Sequence, residues 1–510
     1  MSVAQSYPDP YVFGILRVEF FVMGVFVPVL LALLRPQLTP RSPPPRLSAT
    51  SSRSVAHGVL LRCFKDDAFA DRALSSALSK SSLAGADRAL AAEIVYGVLR
   101  HGRALDFALT QLTSLERASL PTTLALRVGA YELMHLRTPE YAAVNEAVSL
   151  VKPEAQRRFV NGVLRTLVRR RDSLAQPTAN ASVSELGALA IRTSTPEWLL
   201  RELHEQFGNR LDEVEAWALA TQQRPPLALR VNRLRASPAE LSASLRSAGA
   251  TIAEGMPPLE GSLIVEAGAG EVSALPGFAQ GAFSVQDIGA QCVAWLAAPP
   301  PDGITLDLCA APGGKTAHLA ELMGDRGEII SVELHERKAA LVRETCARLG
   351  LSCVRVVAAD ASNATVLLEL LSMHAGQRLA ECVVVDAPCS GMGTLRRNPE
   401  HRYRVDDPSR LAGLCALQDR LLDAGACCVR PGGTLTFSVC SPLRAETTER
   451  VAAFLRRHPH EFERVPVEED GPLAPFAAED EHGARTCVRT WTHLHPADSH
   501  FACKLRRRSQ

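Results

Sequence analysis

Two cysteines occupy positions where a thiol could act on a bound ligand. Cys389 lies in the segment DAPCSG and Cys440 in the segment SVCSP, and each follows a strand-like stretch and opens a loop of Ser, Pro or Gly residues. A lone cysteine is more often a small buried hydrophobe than a nucleophile. We interpret the cysteines within helical patterns in that way, namely Cys346, Cys415, Cys427 and Cys428. Two thiols beside a bound cofactor would instead indicate covalent chemistry.

A glycine-rich turn precedes both cysteines. The segment ITLDLCAAPGGKT at 304–316 predicts a buried strand, a turn and the start of a helix. Gly313 and Gly314 let a ligand approach the backbone, and the helix start offers free N–H groups. Phosphates and S-adenosylmethionine both bind at such turns. A phosphate-binding P-loop needs Gly where this chain has Cys309, and Pro312 removes an N–H donor, so a P-loop NTPase is disfavoured. A turn without a ligand is the alternative for this segment taken alone.

Three acidic residues follow the ends of successive predicted strands. Glu333 ends the second strand, Asp360 follows the third, and Asp386 ends the fourth. An acid about 20 residues beyond a glycine turn is placed to bind the ribose hydroxyls of an adenosine, and Glu333 has that spacing. Asp360 is then placed to bind the adenine end of the same adenosine. One such acid is commonly a helix N-cap, but three in succession favour a nucleoside ligand.

A parallel sheet would bring these residues together. Amphipathic helices alternate with the predicted strands, which indicates a parallel, doubly wound α/β sheet from residue 275 onward. The ligand crevice of such a sheet lies at the carboxyl ends of its strands. The predicted strands cover 304–308, 329–333, 353–357, 382–386 and 434–439.

The composition is that of a globular protein of about three domains. The 510 residues are 46% hydrophobic and 22% charged, and the net charge is +1, so any nucleic-acid binding must come from local clusters. The 13 cysteines include no CxxC pair, which gives little support to zinc sites or disulfide frameworks and suggests a reducing cytosol. No metal is expected.

The regions before the α/β part differ from it and from one another. Residues 54–171 are predicted to be nearly all helix, residues 172–195 contain a polar linker, and residues 223–252 predict a strand and a helix of a small α/β module. Arginines in the last helix and in the module suggest phosphate contacts, with a solvated surface as the alternative. They are Arg157, Arg158, Arg165, Arg169, Arg170 and Arg171, and Arg224, Arg230, Arg233 and Arg235.

Residues 1–50 have a different character. An apolar run of fifteen residues at 20–34 contains Pro28 and precedes a stretch rich in Pro and Ser. The run is shorter than the roughly 20 residues that a membrane span needs. We expect a dispensable extension without membrane contact; an anchor and an export signal are the alternatives.

The chain resembles the bacterial small-subunit ribosomal RNA cytosine-C5 methyltransferases of the Sun/RsmB (Fmu) type, relatives of the NOL/NSUN proteins. The matching segments are DLCAAPGGKT, SVELHERK, VVVDAPCSGMGTLRRNPE, SVCS, SVQDIGAQ and RPPLALRVN, together with EIVYGVLR and RRFVNGVLR in the helical part. The resemblance implies an N-terminal extension (1–53), a helical NusB-like RNA-binding domain (54–175), a linker and small α/β RNA-contacting module (176–274), and a Rossmann-like methyltransferase domain (275–510).

The resemblance also implies roles for individual residues. Cys440 would be the nucleophile, Cys389 would assist product release, and Asp386 would contact the base at N3; the residues alone do not rank the two thiols. The cofactor would be S-adenosylmethionine. Its contacts would be Cys309, Ala310, Ala311, Pro312, Gly313, Gly314, Lys315, Glu333, Asp360 and Asp386. Phosphates around a flipped cytosine would meet Arg396, Arg397, Arg402 and Arg404, with surface solvation as the alternative. A cytoplasmic monomer that acts on small-subunit ribosomal RNA is expected.

Three segments depart from the family pattern. Val439 stands where Thr is usual, RAET at 444–447 replaces a PEEN-like sequence, and DSHF at 498–501 replaces DGFF. These departures put substrate fit and loop order in question. Two other functions stay open: a 5-methylcytosine enzyme that acts on tRNA, and an inert RNA-binding assembly factor. The intact glycine turn and both cysteines argue against the inert factor.

Overall fold

The structure is a computed structural model that describes residues 51–178, 183–253, 259–268, 270–376, 378–404 and 408–509. Residues 1–50 lie outside the described residues, and with them the predicted dispensable extension and its alternatives. Within the described ranges, no helix is both long enough and apolar enough to span a membrane.

The first domain consists of helices, as the apolar spacing predicts. In its last helix Val160, Val163, Leu164 and Leu167 recur at three- and four-residue intervals and are buried. Burying each such side chain contributes about 1.5–3 kcal/mol. The first helix starts at a capping box formed by Ser51 and Ser54. The helices are α1 (Ser52–Lys65), α2 (Ala70–Ser79), α3 (Gly85–Thr110), α4 (Leu120–His135), α5 (Glu140–Ser149) and α6 (Glu154–Arg170).

Three short helices follow and pack against the C-terminal domain. They are α7 (Glu185–Arg192), α8 (Glu197–Gln206) and α9 (Leu211–Ala220). Their apolar faces share one core with Met392, Leu395 and Leu443, which lie in the loops after Cys389 and Cys440. The three helices therefore pack against the loops that follow both cysteines.

The small α/β module is a four-stranded antiparallel sheet with one helix. Its elements are β1 (Leu227–Val231), α10 (Pro238–Ser247), β2 (Thr251–Ile252), β3 (Ser262–Ala267) and β4 (Phe283–Val285), in the order β2-β3-β1-β4. The helix begins with Ser237 and Glu240 as a capping box. The sheet extends to Val285, beyond the predicted module boundary at residue 274.

The C-terminal domain is built on a nine-stranded sheet. The predicted strands are present as β5, β6, β7, β8 and β9, and they pair in parallel in the order β9-β8-β5-β6-β7. The elements are α11 (Ile288–Ala297), β5 (Ile304–Leu308), α12 (Gly314–Leu322), β6 (Glu328–Glu333), α13 (Glu336–Leu349), β7 (Val354–Ala358), α14 (Ala364–Ala375), β8 (Ala380–Asp386), α15 (Pro408–Cys428), β9 (Val429–Val439), α16 (Thr448–Arg457), β10 (Phe462–Arg464), β11 (Ala477–Glu479), β12 (Arg485–Arg489) and β13 (Phe501–Arg507).

The sheet is mixed and not wholly parallel. Strand β13 pairs antiparallel with β9, β12 with β13, and β11 with β12, so an antiparallel flank extends the sheet on one side. Helices cover both faces of the parallel part. One core contains Leu306 and Leu308 with α14 and α15, and the other contains Ala317 and Cys292 with α11 and α12. The carboxyl ends of β5 to β9 consequently meet at one edge of the sheet.

Candidate active site

The glycine turn between β5 and α12 has a backbone that only glycine adopts easily. Gly313 caps α12 with φ 103°, and a Cβ built at this position would lie 3.1 Å from the Cα of Val342. A Cβ at Gly314 would have no neighbour closer than Gln286 Nε2, 3.9 Å away. The first N–H groups of α12 have no intrahelical partner. The turn therefore has the close approach and the free donors that the sequence predicts.

An arginine of the small module holds this turn in place. Arg230 on β1 is buried and forms a bidentate ion pair with Glu321 of α12, with Nη2–Oε1 at 2.7 Å and Nε–Oε2 at 3.0 Å. Its Nη1 also donates to the carbonyl oxygen of Gly314 at 2.7 Å. The sequence suggests Arg230 as one of the phosphate contacts of the module. The structure instead gives its guanidinium a role in positioning the turn.

Glu333 ends β6 and Asp360 follows β7, at the edge of the sheet where the glycine turn lies. Oε1 of Glu333 accepts the N–H of His335 at 3.2 Å, and Lys338 Nζ lies 3.9 Å away. Oδ1 of Asp360 accepts the backbone N–H and the hydroxyl of Ser362, and these hydrogen bonds hold the pKa of Asp360 below its usual value. Oε2 of Glu333 and Oδ2 of Asp360 have no hydrogen-bond partner in the described part of the chain. One oxygen of each carboxylate could thus accept a hydrogen bond from a ligand.

Asp386 joins the turn to the cysteine strands. Its Oδ2 accepts a hydrogen bond from Lys315 Nζ at 2.7 Å, and its Oδ1 accepts one from Ser438 Oγ at 2.8 Å. Burial lowers the pKa of Lys315, but attraction and hydrogen bonding to Asp386 outweigh that effect and raise the pKa above its usual value. Lys315 is therefore an ammonium at neutral pH, inside the site.

The two cysteine thiols are in contact. Cys389 follows β8 and Cys440 follows β9, the two strands are adjacent, and the Sγ atoms lie 3.2 Å apart. The hydrogen bond to Cys440, together with burial and the nearby Glu446, raises the pKa of Cys389 well above its usual value. Cys389 therefore stays protonated at neutral pH and can donate its S–H to the sulfur of Cys440.

A buried carboxyl group ties the two cysteine loops together. Glu446 is fully buried, accepts Ser390 N at 2.8 Å and Ser441 Oγ at 2.6 Å, and also accepts the Ser390 hydroxyl and the Gln418 amide. Sequence reasoning misses this residue because the RAET segment stands out only as a departure from the family pattern. The available signal is an acid six residues after Cys440, in the turn that leads into α16.

We expect Glu446→Gln to lower both stability and turnover. The amide –NH2 of glutamine would face donors from Ser390, Ser441 and Gln418, so the free energy of unfolding should fall by about 1–3 kcal/mol. Thermal unfolding measures the first effect, and the rate of the methyl transfer that the resemblance implies measures the second. Glu449→Gln is the matched control, since Glu449 is exposed only three residues away. Equal melting temperatures for the two variants would contradict the positioning role of Glu446.

A cavity of about 490 Å³ opens beside Cys440. Its volume lies within the range of about 300–1,000 Å³ that is typical of ligand sites. It lies among the helical domain, the small module and the C-terminal domain, and its walls include Tyr96, Arg224, Val285, Arg397, Cys440 and His500. The predicted nucleophile is therefore reached through a space that all three domains line. In the described part of the chain, no cluster of three or more His, Cys, Asp or Glu side chains could hold a metal ion.

The four arginines after the Cys389 loop are placed differently from the sequence-based prediction. Each is engaged with other parts of the protein, so no RNA contact is proposed for them. Arg396 and Arg397 share Asp498, with Nε–Oδ distances of 2.6 Å to its two oxygens. Arg402 is fully buried and donates to Thr195 Oγ1 and to the carbonyl oxygen of Thr221. Arg404 donates to the carbonyl oxygens of Asp67 and Ala68.

Three family models match separate parts of the chain. A model described as 16S rRNA methyltransferase RsmB/F matches residues 293–506, and the NusB family model matches residues 50–169. A ferredoxin-like domain of RsmF/B-like methyltransferases matches residues 195–267. The first match falls in the C-terminal domain, the second in the helical domain, and the third covers part of the small α/β module and the helices before it.

Full-length relatives and solved structures are also similar to the chain. A probable ribosomal RNA small subunit methyltransferase B of Synechocystis sp. is 34% identical over 468 residues, which cover 90% of this chain and 99% of the relative. Its counterpart in Bacillus subtilis is 31% identical over 471 residues, covering 91% and 100%. The crystal structure of PH0851 covers 91% of this chain and 99% of its own, with a TM-score of 0.69 and 24% identity. NSun6 from Pyrococcus horikoshii with SFG covers 62% and 99%, with a TM-score of 0.52 and 19% identity. The two structures show the fold alone.

Proposed function

Because this chain belongs to the RsmB/F family of small-subunit ribosomal RNA methyltransferases, we propose that it methylates C5 of a cytosine in 16S ribosomal RNA through a covalent cysteine adduct. The observation that carries the proposal is the contact between the thiols of Cys389 and Cys440 beside the Lys315–Asp386 pair. An enzyme that methylates an exocyclic amino group needs no nucleophilic thiol. Two thiols at the end of the crevice therefore favour C5.

The residues around the glycine turn fit S-adenosylmethionine. The turn at 309–315 would hold its methionine part, Glu333 would bind the ribose hydroxyls, and Asp360 would bind the adenine end. When bound, S-adenosylmethionine supplies an electrophilic methyl group. Asp386 would lie between this cofactor and the base, since it contacts Lys315 on α12 and Ser438 on β9.

The base is activated by addition of a thiolate. Cytosine C5 is a poor nucleophile, but addition of the Cys440 sulfur to C6 moves electron density to C5. Asp386 would contact the base at N3, and the ammonium of Lys315 stabilises negative charge that develops nearby. After methyl transfer, water removes the C5 proton, the electrons of the C5–H bond restore the C5–C6 double bond, and the electron pair of the C6–S bond returns to sulfur. The protonated Cys389 thiol stabilises that departing sulfur.

Transfer of labelled methyl from S-adenosylmethionine to protein-free 16S ribosomal RNA tests the proposed function. We expect the label in 5-methylcytidine after digestion to nucleosides. Label in another nucleoside would overturn the assignment of C5 as the methylated atom. Label in tRNA alone would overturn the assignment of 16S ribosomal RNA as the substrate. Assembled small subunits are the second substrate to be tried. Absence of transfer to all three RNAs would favour the inert RNA-binding factor.

An arginine-rich face of α6 supports RNA binding by the helical domain. Arg158, Arg165 and Arg169 are exposed and lie seven and four residues apart, which places them on one face of the helix. Among the described residues, none of the three forms an ion pair with a carboxylate; Arg165 donates to Asn161 and Arg169 to Thr166. Such a face is suited to phosphate groups.

Replacing these three arginines by glutamine should weaken RNA binding in a salt-dependent way. For single-stranded RNA, the slope of the logarithm of the binding constant against the logarithm of the salt concentration is negative. Its magnitude should decrease by about 0.7 for each phosphate that the variant no longer neutralises. Binding of a 16S RNA fragment at several KCl concentrations measures this slope. The exposed residues Arg343, Arg506 and Arg508, changed together to glutamine, are the control of equal charge. The same slope for both triple variants would argue against phosphate binding by α6.

A further inference from the structure

A histidine and the predicted nucleophile lie at the same end of a strand pair in the antiparallel flank of the sheet. Strands β9 and β13 pair with Val439 opposite Phe501 and Ser438 opposite Ala502. The pairing ends there, because the backbone of Gly393 comes between the two strands: it accepts the N–H of Ser499 and donates to the carbonyl oxygen of Cys440, both at 3.0 Å. Cys440 and His500 are the next residues beyond the last pair, at the same end of the ladder.

His500 and Cys440 also share a face of the sheet. Directly opposite residues of an antiparallel pair have side chains on the same face. Val439 and Phe501 belong to the core on the other face, and alternation along the strands turns Cys440 and His500 away from it. Both side chains line the same cavity. The imidazole and the thiol therefore face the same space.

The ring of His500 packs against the start of α11. Its Nδ1 is buried without a hydrogen-bond partner, lies 3.9 Å from Asp287 Oδ1, and faces Gly289, where a Cβ would approach to 2.8 Å. Nε2 of the same ring forms no hydrogen bond within the described residues, and His500 lines the cavity. Asp287 is itself fixed by the N–H groups of Gly289 and Asp498 and by Arg397.

We propose that His500 is the base that removes the proton of Cys440, with the carboxylate of Asp287, 3.9 Å from Nδ1, favouring the imidazolium that forms. This inference rests on the proposed function, in which Cys440 is the nucleophile. The S–H bond breaks, its proton bonds to Nε2, and the electron pair left on sulfur forms the bond to C6 of the cytosine. When the C6–S bond breaks later, the imidazolium returns the proton to sulfur. No further reactant is required.

The charged surroundings of His500 are compatible with this role. Burial lowers the pKa of His500; Asp287, Asp498 and Asp386 act in the opposite direction, and the ammonium of Lys315 acts with burial. The net effect is a lowered pKa, so the imidazole is neutral at pH 7 and can accept a proton. The other charged groups near it are Arg396 and Arg397, whose charges are balanced by Asp287 and Asp498. The family pattern usually has DGFF where this chain has DSHF, so the base would be a feature of this chain.

Alkylation of Cys440 tests the inference without RNA or cofactor. Iodoacetamide reacts with the thiolate, and peptide mass spectrometry of the full chain follows each cysteine separately from pH 5.5 to 9. In the unmodified protein we expect Cys440 to stay reactive below pH 7. In His500→Phe the alkylation rate of Cys440 should fall about tenfold for each pH unit below pH 7. At pH 6.5 the variant should therefore react at least about tenfold more slowly than the unmodified protein. The exposed Cys427 is the reference thiol in the same molecules.

Two checks keep the result interpretable. His500→Gln fills the site with a side chain that accepts no proton, so it should show the same loss of Cys440 reactivity below pH 7. Melting temperature and S-adenosylhomocysteine binding report whether either variant is misfolded. A Cys440 profile that both folded variants leave unchanged would overturn the inference. If Cys440→Ala is inactive but the profile does not depend on His500, only this inference fails. If Cys440→Ala still transfers methyl groups, the proposed function fails, whatever the profile.

Discussion

Replacing Cys440 by alanine is expected to lower the rate of methyl transfer by about 10⁴-fold or more, since an enzyme without its nucleophile has only binding and positioning left. Cofactor affinity should be nearly unchanged. Cys440 follows β9, whereas the proposed cofactor residues lie in the turn before α12 and at the ends of β6, β7 and β8. The fold should also be retained, because the side chain is only partly buried and opens onto the cavity.

Single-turnover transfer with enzyme in excess over 16S RNA measures this loss directly. S-adenosylhomocysteine binding and melting temperature show that the variant is intact. Cys427→Ala is the matched control, because this exposed cysteine of α15 lies outside the crevice and its removal should leave the rate unchanged. A Cys440→Ala protein with normal turnover would remove Cys440 from the proposed role.

Local sequence patterns were enough to predict much of the fold and part of the site. The strand and turn at 304–316 form a continuous segment in which apolar residues, glycines and a helix start follow one another, and the structure contains each of them. The cysteines could be placed together because both follow strands of one parallel sheet, and the carboxyl ends of such strands share an edge. Their 3.2 Å separation follows from β8 and β9 being neighbours.

Interactions between distant parts of the chain escaped prediction. Arg396 and Arg397 pair with an aspartate about a hundred residues later, and Arg402 with threonines about two hundred residues earlier. A run of arginines has the same local pattern whether it faces solvent or fills an interface between domains. The antiparallel flank was missed for a related reason. The position of His500 depends on the pairing of β13 with β9, which no local pattern specifies.

We infer different roles for the two thiols, which the sequence left equivalent. Cys389 is held as a thiol by its hydrogen bond to Cys440, by burial and by Glu446, which raise its pKa. A protonated group is a poor nucleophile but a good hydrogen-bond donor to a departing sulfur. This asymmetry supports Cys440 as the nucleophile and Cys389 as the group that acts at release.

Replacing Cys389 by alanine is therefore expected to trap the protein on its RNA. Addition and methyl transfer use Cys440 and the cofactor, so the adduct should still form. Its breakdown needs the electron pair of the C6–S bond to return to the Cys440 sulfur, and the S–H donor 3.2 Å away is then missing. Release should slow by about 10²-fold or more, the scale on which removal of a proton donor acts, and the adduct should accumulate when S-adenosylmethionine is present.

A protein–RNA species that persists in a denaturing gel measures the trapped adduct. It should appear with Cys389→Ala and be absent with the double variant Cys389→Ala/Cys440→Ala, because the double variant has no thiol at either strand end to bond to C6. Nuclease digestion and mass spectrometry should locate the nucleotide on Cys440. Clean release of methylated RNA by Cys389→Ala at the normal rate would show that the thiol of Cys389 takes no part in product release. An adduct that persists in the double variant would place the covalent bond on a different residue, so the two variants test the two thiols separately.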